Sequence, residues 1–235
     1  MIIDYKNQTV LITGATRGIG KQIADDMRKA GANLILTGTK PRTDDGYICV
    51  DFSNDDSTQD FIKSIENKKI DVLINNAGIN KIDYVCDSQD EDWEKILKVN
   101  LTAPYKVLKA VSKNMIKQNY GKIVNISSIW GLRGKEKRVA YSSTKSGIVG
   151  LTLSSAAELA QHNVLVNSVS PGFTLTDLTK QILGEEGMTE LSQQVPMKRL
   201  AEPSEISKVV MFVASNMNTY ISGQNIVVDG GFTNV

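Results

Sequence analysis

Tyr141 and Lys145 stand four residues apart in a stretch that reads as helix, so both side chains project from one face. A phenol with an ammonium one turn away is a candidate acid. The cation favours the phenolate, and each unit by which a pKa falls corresponds to roughly 1.4 kcal/mol. Ser128, thirteen residues before Tyr141 at the end of an apolar strand, adds a hydroxyl. The three together can polarise a carbonyl and deliver a proton to it. Ser127 is the adjacent alternative, and the spacing to Tyr141 favours Ser128.

A second constellation, Gly14-Ala15-Thr16-Arg17-Gly18-Ile19-Gly20, lies between a predicted strand, Thr9 to Thr13, and a helix running to about Ala30. Glycines in such a turn let a pyrophosphate approach backbone N–H groups at the helix N-terminus. The next strand, Leu34 to Thr37, ends at Gly38-Thr39-Lys40. An acid at that place would take ribose hydroxyls; here Thr39, Lys40 and the nearby Arg17 suit a 2′-phosphate. The expected cofactor is therefore NADPH/NADP+.

The elements that must position these groups alternate strand and helix, which indicates an α/β fold with a parallel sheet covered on both faces. Further strands are expected at Ile48–Val50, Val72–Ile74, Lys122–Ile126, Val164–Val169 and Asn225–Val228. Helices are expected over Ser57–Glu66, Glu91–Gln118, Val139–Ala160 and from Pro203 to about Ser215. Residues 38–47, broken by Pro41 and Gly46, are too short and irregular for a crossover helix, so a bare loop is predicted. Pro104 should bend the long helix or open its hydrogen-bond ladder just after Asn100. The helix from Val139 is apolar around most of its circumference and rich in small residues. One side is expected against the sheet and the other against a second subunit. Residues 174–200 read as a mobile cap of short helical patterns. No linker or repeat divides the 235 residues, so one domain, 1–235, is expected.

Composition narrows the function classes. A net charge of +1 argues against a nucleic-acid partner or a polybasic membrane binder. No apolar run approaches the roughly twenty residues of a membrane span, and the first eight residues lack a signal-peptide core. Two separated cysteines, Cys49 and Cys86, and a single histidine, His162, give no metal site and suit a reduced, cytoplasmic setting.

From Thr9 to Gly231 the chain resembles the short-chain dehydrogenase/reductase family. The matching motifs are Thr13-Gly14-x-x-x-Gly18-Ile19-Gly20, Asn75-Asn76-Ala77-Gly78, Asn100, Ser128, Tyr141-x-x-x-Lys145 and Pro171-Gly172, in the family's order and spacing. Ser170 to Phe173, Val195-Pro196, Arg199-Leu200 and the tail from Gly223 to Gly231 are most similar to its 3-oxoacyl-(acyl-carrier-protein) reductases. The missing crossover helix before Asp51 is a departure. The resemblance implies a single-domain Rossmann-type, doubly wound parallel sheet of about seven strands, assembled as a homotetramer or homodimer. It implies that Tyr141 is the acid in reduction and that Lys145 holds the nicotinamide ribose and lowers the Tyr141 pKa. Ser128 would bond the substrate carbonyl, and Asn100 would anchor a water in a relay towards Lys145. Gly14, Thr16, Arg17, Gly18, Ile19, Gly20, Thr39, Lys40, Asp51, Asn76, Ala77, Gly78, Pro171, Gly172 and Thr174 would line the cofactor cleft. Within it, Asp51 would meet the adenine, Asn76 the adenosine-side floor, and the Thr174 backbone the carboxamide.

The implied activity is NADPH-dependent reduction of a ketone, most simply a 3-oxoacyl group on acyl carrier protein in fatty-acid synthesis. Reduction of another small ketone, such as a sugar or secondary metabolite, is the alternative. A non-catalytic nucleotide-binding regulator is a third, opposed by the complete Ser-Asn-Tyr-Lys set. Docking of acyl carrier protein would need a basic patch, for which Arg133, Lys135, Lys137 and Arg138 are candidates. Trp130 fits either the core or a wall of the substrate cleft.

Overall fold

A computed structural model describes residues 3–235, and at 177, 178, 180, 182 and 183 the backbone alone. Seven strands form one sheet: β1 Thr9–Ile12, β2 Asn33–Gly38, β3 Tyr47–Cys49, β4 Val72–Asn75, β5 Gly121–Ile126, β6 Val164–Pro171 and β7 Asn225–Val228. Their order is β3-β2-β1-β4-β5-β6-β7 and every pairing is parallel. All residues of β4, β5 and β6 are buried, as near-continuous apolar strands covered on both faces should be.

The period of two along each strand divides the core. Leu11, Leu73 and Ile123 point to one face, with α2 (Asp55–Ile65), α4 (Ala103–Lys117) and α5 (Val139–Leu159). Val10, Ile12, Val72, Ile74, Val124 and Ile126 point to the other, with α1 (Gly18–Lys29) and α7 (Pro203–Ala214). Helix α1 buries Gly20, Ile23, Ala24 and Met27, one stripe at helical spacing. Asn54 caps α2 by accepting from the Ser57 N–H at 2.8 Å, and Pro203 opens α7, where its missing N–H costs nothing. Strand order reverses between β1 and β4, so the turns leaving those two strands splay apart at their C-terminal ends. Ligands of open α/β sheets enter at such a point.

The helix expected from Glu91 to Gln118 is three pieces: α3 Asp90–Leu97, a π-helical turn Lys98–Thr102, and α4. Pro104 supplies the reason. In an unbroken α-helix the residue 104 N–H would bond the Asn100 carbonyl, and proline has no N–H. Residues 39–46 connect β2 to β3 without a helix, as expected, and Gly46 turns the chain at a φ of +74°. A Cβ at Gly46 would lie 2.2 Å from the Leu34 carbonyl oxygen, so a side chain is excluded there. The cap over 174–200 carries α6 Asp177–Gln193, two short helices joined end to end, in keeping with the short helical patterns expected there. The two meet at Gly184, whose φ of 62° and ψ of −175° are non-helical. Among the described residues no helix is long and apolar enough to cross a membrane.

Candidate active site

The glycine turn leaves β1 and is fastened from both sides by hydroxyls. Thr13 Oγ1 accepts the backbone N–H groups of Asn76 and Ala77 at 3.0 Å each, and Thr37 Oγ1 accepts that of Gly14 at 3.2 Å. Gly14 has a φ of +67°, and a Cβ there would lie 2.8 Å from Ala77 Cα. The turn is thus pressed onto the end of β4, and no other residue fits at Gly14. Asn76 follows β4 and lies against the glycine turn. Its amide nitrogen donates to the Thr13 and Gly14 carbonyls at 3.0 and 2.9 Å, so both its N–H groups tie the chain after β4 to the turn. Thr13 and Thr37, missed in the sequence, do the same work. Strand-end hydroxyls beside a glycine turn were the available signal.

At the adenosine end, Arg17 and Lys40 are exposed, and among the described residues neither has an acidic partner. A Cβ on Gly38 would lie 2.5 Å from Thr16 Cγ2, so the end of β2 touches the glycine turn directly. Asp51, just past β3, accepts the Ser53 hydroxyl and N–H on one carboxylate oxygen. Those two bonds hold its carboxyl below the usual range. Gly18 faces Thr176 at the start of α6, whose Cγ2 would lie 3.4 Å from a Cβ at Gly18. The cleft therefore closes between the glycine turn and the cap.

At the other end Gly78 lies between two of the candidate residues. A Cβ there would be 3.6 Å from Asn100 Oδ1 and 3.7 Å from Lys145 Nζ. Asn100 is buried; its amide donates to the Ile79 carbonyl at 2.8 Å and its oxygen accepts the Ile79 N–H at 2.9 Å. Its amide also reaches Thr144 Oγ1 at 3.3 Å, and Thr144 donates to the Tyr141 carbonyl at 2.8 Å. The π-helical turn, the loop after β4 and the start of α5 are thereby joined. Ser127 donates its hydroxyl to the Lys145 carbonyl at 2.8 Å, which makes it a fastener of α5. Ser128 accepts the Trp130 N–H at 3.2 Å and stands beside the Tyr141 phenol. The two serines thus have different partners, Ser127 the α5 backbone and Ser128 the turn after β5. Pro171 and Gly172 close β6, and Gly172 abuts Asp229, whose Cα would lie 2.7 Å from a Cβ there. Thr174 is buried and donates its hydroxyl to the Gly172 carbonyl at 3.1 Å.

One expectation is corrected. Lys145 does not make the phenol acidic here. Burial pushes the Tyr141 pKa up, and the Ser128 hydroxyl and the Arg138 guanidinium pull against it without reversing the direction. Lys145 Nζ instead donates to the Ile126 carbonyl at 2.8 Å and lies 5.6 Å from the centre of the Tyr141 ring. Burial lowers the Lys145 pKa to about 8. The phenol therefore stays protonated, the form an acid needs.

Trp130 is half-buried in an aromatic group with Phe173 and Phe232, ring centres 4.9 to 5.9 Å apart. Of the basic candidates, Arg133 donates to the Phe232 and Val235 carbonyls, Lys135 pairs with Glu136, and Lys137 lies over the Tyr84 ring. An open groove of about 410 Å³ runs beside the start of α5, with Tyr84, Val85 and Val139 among its lining residues. Among the described residues no cluster of histidine, cysteine or carboxylates could hold a metal ion.

Known proteins resemble the chain throughout. The family model described as enoyl-(acyl carrier protein) reductase matches residues 14–233. The 3-oxoacyl-(acyl-carrier-protein) reductase FabG of Aquifex aeolicus is 39% identical, over 98% of this chain and 99% of its own. Among solved structures, one described as a short chain dehydrogenase/reductase family protein is 30% identical with a TM-score of 0.90, covering 98% of this chain and 100% of that one. ElxO with NADP bound is also 30% identical with a TM-score of 0.90, covering 97% and 99%.

The Lys145 environment has a measurable consequence. A fall from 10.5 to about 8 corresponds to roughly 3 kcal/mol against the charged form. The penalty is present in full below pH 8. It is relieved between pH 8 and 10.5, where the folded state has released the proton and the unfolded chain still binds it. Lys145→Met should therefore be more stable than the wild type at pH 7 in urea denaturation. The gap should close by roughly 2–3 kcal/mol towards pH 10. A gap that does not move with pH would contradict the desolvated ammonium.

Proposed function

The chain belongs to the short-chain dehydrogenase/reductase family, and on that premise we propose that it reduces a 3-oxoacyl thioester to the 3-hydroxy thioester with NADPH. The observation that carries this is the joining of Tyr141, Lys145, Ser128 and Asn100 at the open end of the sheet, in a chain 39% identical to a 3-oxoacyl-(acyl-carrier-protein) reductase.

The cradle fits a dinucleotide. Gly14 and Gly18 turn the chain at positive φ, and the first N–H groups of α1 have no intrahelical acceptor, which suits a pyrophosphate. Arg17 and Lys40, both free of acidic partners among the described residues, favour a 2′-phosphate and hence NADPH over NADH. When bound, the nicotinamide supplies the hydride. The protein's own work is to hold the carbonyl and give one proton. Ser128 donates a hydrogen bond to the carbonyl oxygen. Tyr141, kept protonated by burial, passes its proton to that oxygen as negative charge builds on it. Lys145 takes the ribose hydroxyls. Asn100, whose carbonyl is released by Pro104, is assigned the water that leads to Lys145. The apolar side chains beside the start of α5, Tyr84, Val85 and Val139, suit an acyl chain better than a sugar.

We assign a homodimer or homotetramer as well. Ser143, Ser146, Gly150, Leu153, Ser154 and Ala157 form an exposed stripe on α5, and nothing lies within 4 Å of a Cβ at Gly150. Tyr105 on α4 is also exposed. A stripe of small residues admits a second backbone, and Leu153 would be covered by it.

Two experiments test these assignments. NADPH consumption should be fastest with acetoacetyl thioesters in a panel that also holds keto sugars and simple diketones, and Tyr141→Phe should lower it by about 100-fold or more while NADPH still binds. A keto sugar as the best substrate, or substantial turnover by Tyr141→Phe, would overturn the assignment. Light scattering at micromolar concentration should report a dimer or tetramer, and a clean monomer would refute the exposed stripe of α5 as an interface.

A further inference from the structure

The loop that replaces a crossover helix, residues 39–46, carries Thr39 and Lys40 at its start. A connection of this length between parallel strands must double back at once. Most of it is bound only to itself. Arg42 pairs with Asp44 at 3.5 Å, both exposed, and the Tyr47 N–H reaches the Asp44 carbonyl at 3.2 Å. The Leu36 N–H holds the Gly46 carbonyl at 2.9 Å, which fixes the far end of the loop. Among the described residues a single hydrogen bond ties residues 39–43 to the body of the protein. The Tyr47 hydroxyl donates to the Lys40 carbonyl at 2.7 Å.

Tyr47 is well placed to hold that bond steady. It is the first residue of β3, paired in register with Leu36, and its ring packs against the core face that α1 and α7 cover. Its hydroxyl lies over Gly38, only 2.6 Å from where a Cβ on that glycine would sit, and Thr16 closes the same spot from the glycine turn at 2.5 Å. Any residue larger than glycine at position 38 would displace the hydroxyl. One phenol therefore sits where the end of β2, the start of the loop and the turn bearing Arg17 meet. In a longer connection a helix could set the backbone after β2; here a side chain from the next strand does so.

We propose that Tyr47 is a positioning residue for cofactor choice. By holding the Lys40 carbonyl it sets the backbone from which the Lys40 ammonium, with Arg17, meets the 2′-phosphate of NADPH. This rests on the NADPH assignment above. A hydroxyl acting through Lys40 should matter for the phosphorylated cofactor and not for NADH, which has nothing for Lys40 to bind.

Fluorescence titration of the whole protein with NADPH and with NADH separates the possibilities. Tyr47→Phe keeps the ring and its packing. It should weaken NADPH binding by about fivefold, the scale of one hydrogen bond, and leave the NADH dissociation constant within about twofold. In Lys40→Ala the NADPH loss should already be present, and adding Tyr47→Phe should cost little more. Equal weakening of both cofactors, or none, would overturn the inference while a wild-type preference for NADPH still stood. A wild-type preference for NADH would remove the cofactor assignment, and the inference with it.

Discussion

The ammonium of Lys145 lies inside the protein, 4% exposed, at the end of the sheet where the strand order reverses. Placing a cation there is costly, and burial lowers its pKa to about 8. The neighbouring structure is arranged to keep it in place. Ile126 at the end of β5 accepts its bond, Ser127 holds its backbone carbonyl, and Gly131 leaves the room its backbone needs: a Cβ there would lie 2.8 Å from the Lys145 carbonyl. Asn100 and Gly78 close the side towards β4. A stable fold has no use for a lone desolvated ammonium. A redox site does, because the same cation can take ribose hydroxyls and support the loss of a proton from Tyr141 during reaction.

The backbone departs from regularity where this site needs it to. The π-helical turn at Lys98–Thr102 brings Asn100 inward and leaves its carbonyl outside the usual ladder. The glycine turn adopts positive φ so that α1 can point its first N–H groups into the cleft. Residues 39–46 omit a helix and substitute one phenol. Each departure is backed by well-packed regular structure: β4, β5 and β6 are buried along their whole lengths.

Much of this was legible from residue order. The apolar strands, the proline opening α7, the bare loop before β3 and the break near Asn100 all follow from periodicity and from the chemistry of glycine and proline. Spacing also singled out Ser128, Tyr141 and Lys145 as a group. What spacing omits is depth and direction. Four residues on a helix put Lys145 near Tyr141, but whether the ammonium turns to the phenol or to a strand carbonyl depends on β5, nineteen positions earlier. The direction of the phenol shift was misjudged for that reason. The break at Gly184 between two short helices agrees with the short helical patterns read over 174–200, since glycine inside such a pattern marks a weak point or a stop. By contrast the work of Thr13, Thr37 and Tyr47 was invisible: each acts through one hydroxyl on a backbone atom brought near by folding.

The most direct measurement follows the hydride itself. Acetoacetyl thioester would be reduced with NADPH carrying deuterium at the transferable position of nicotinamide carbon 4, and the product examined by mass spectrometry and proton NMR. One deuterium on the new carbinol carbon, with the hydroxyl proton drawn from solvent, is the result expected of a reductase in which Tyr141 supplies the proton and the nicotinamide the hydride. Oxidised cofactor without labelled 3-hydroxy product, or no reaction with the thioester at all, would contradict the assignment.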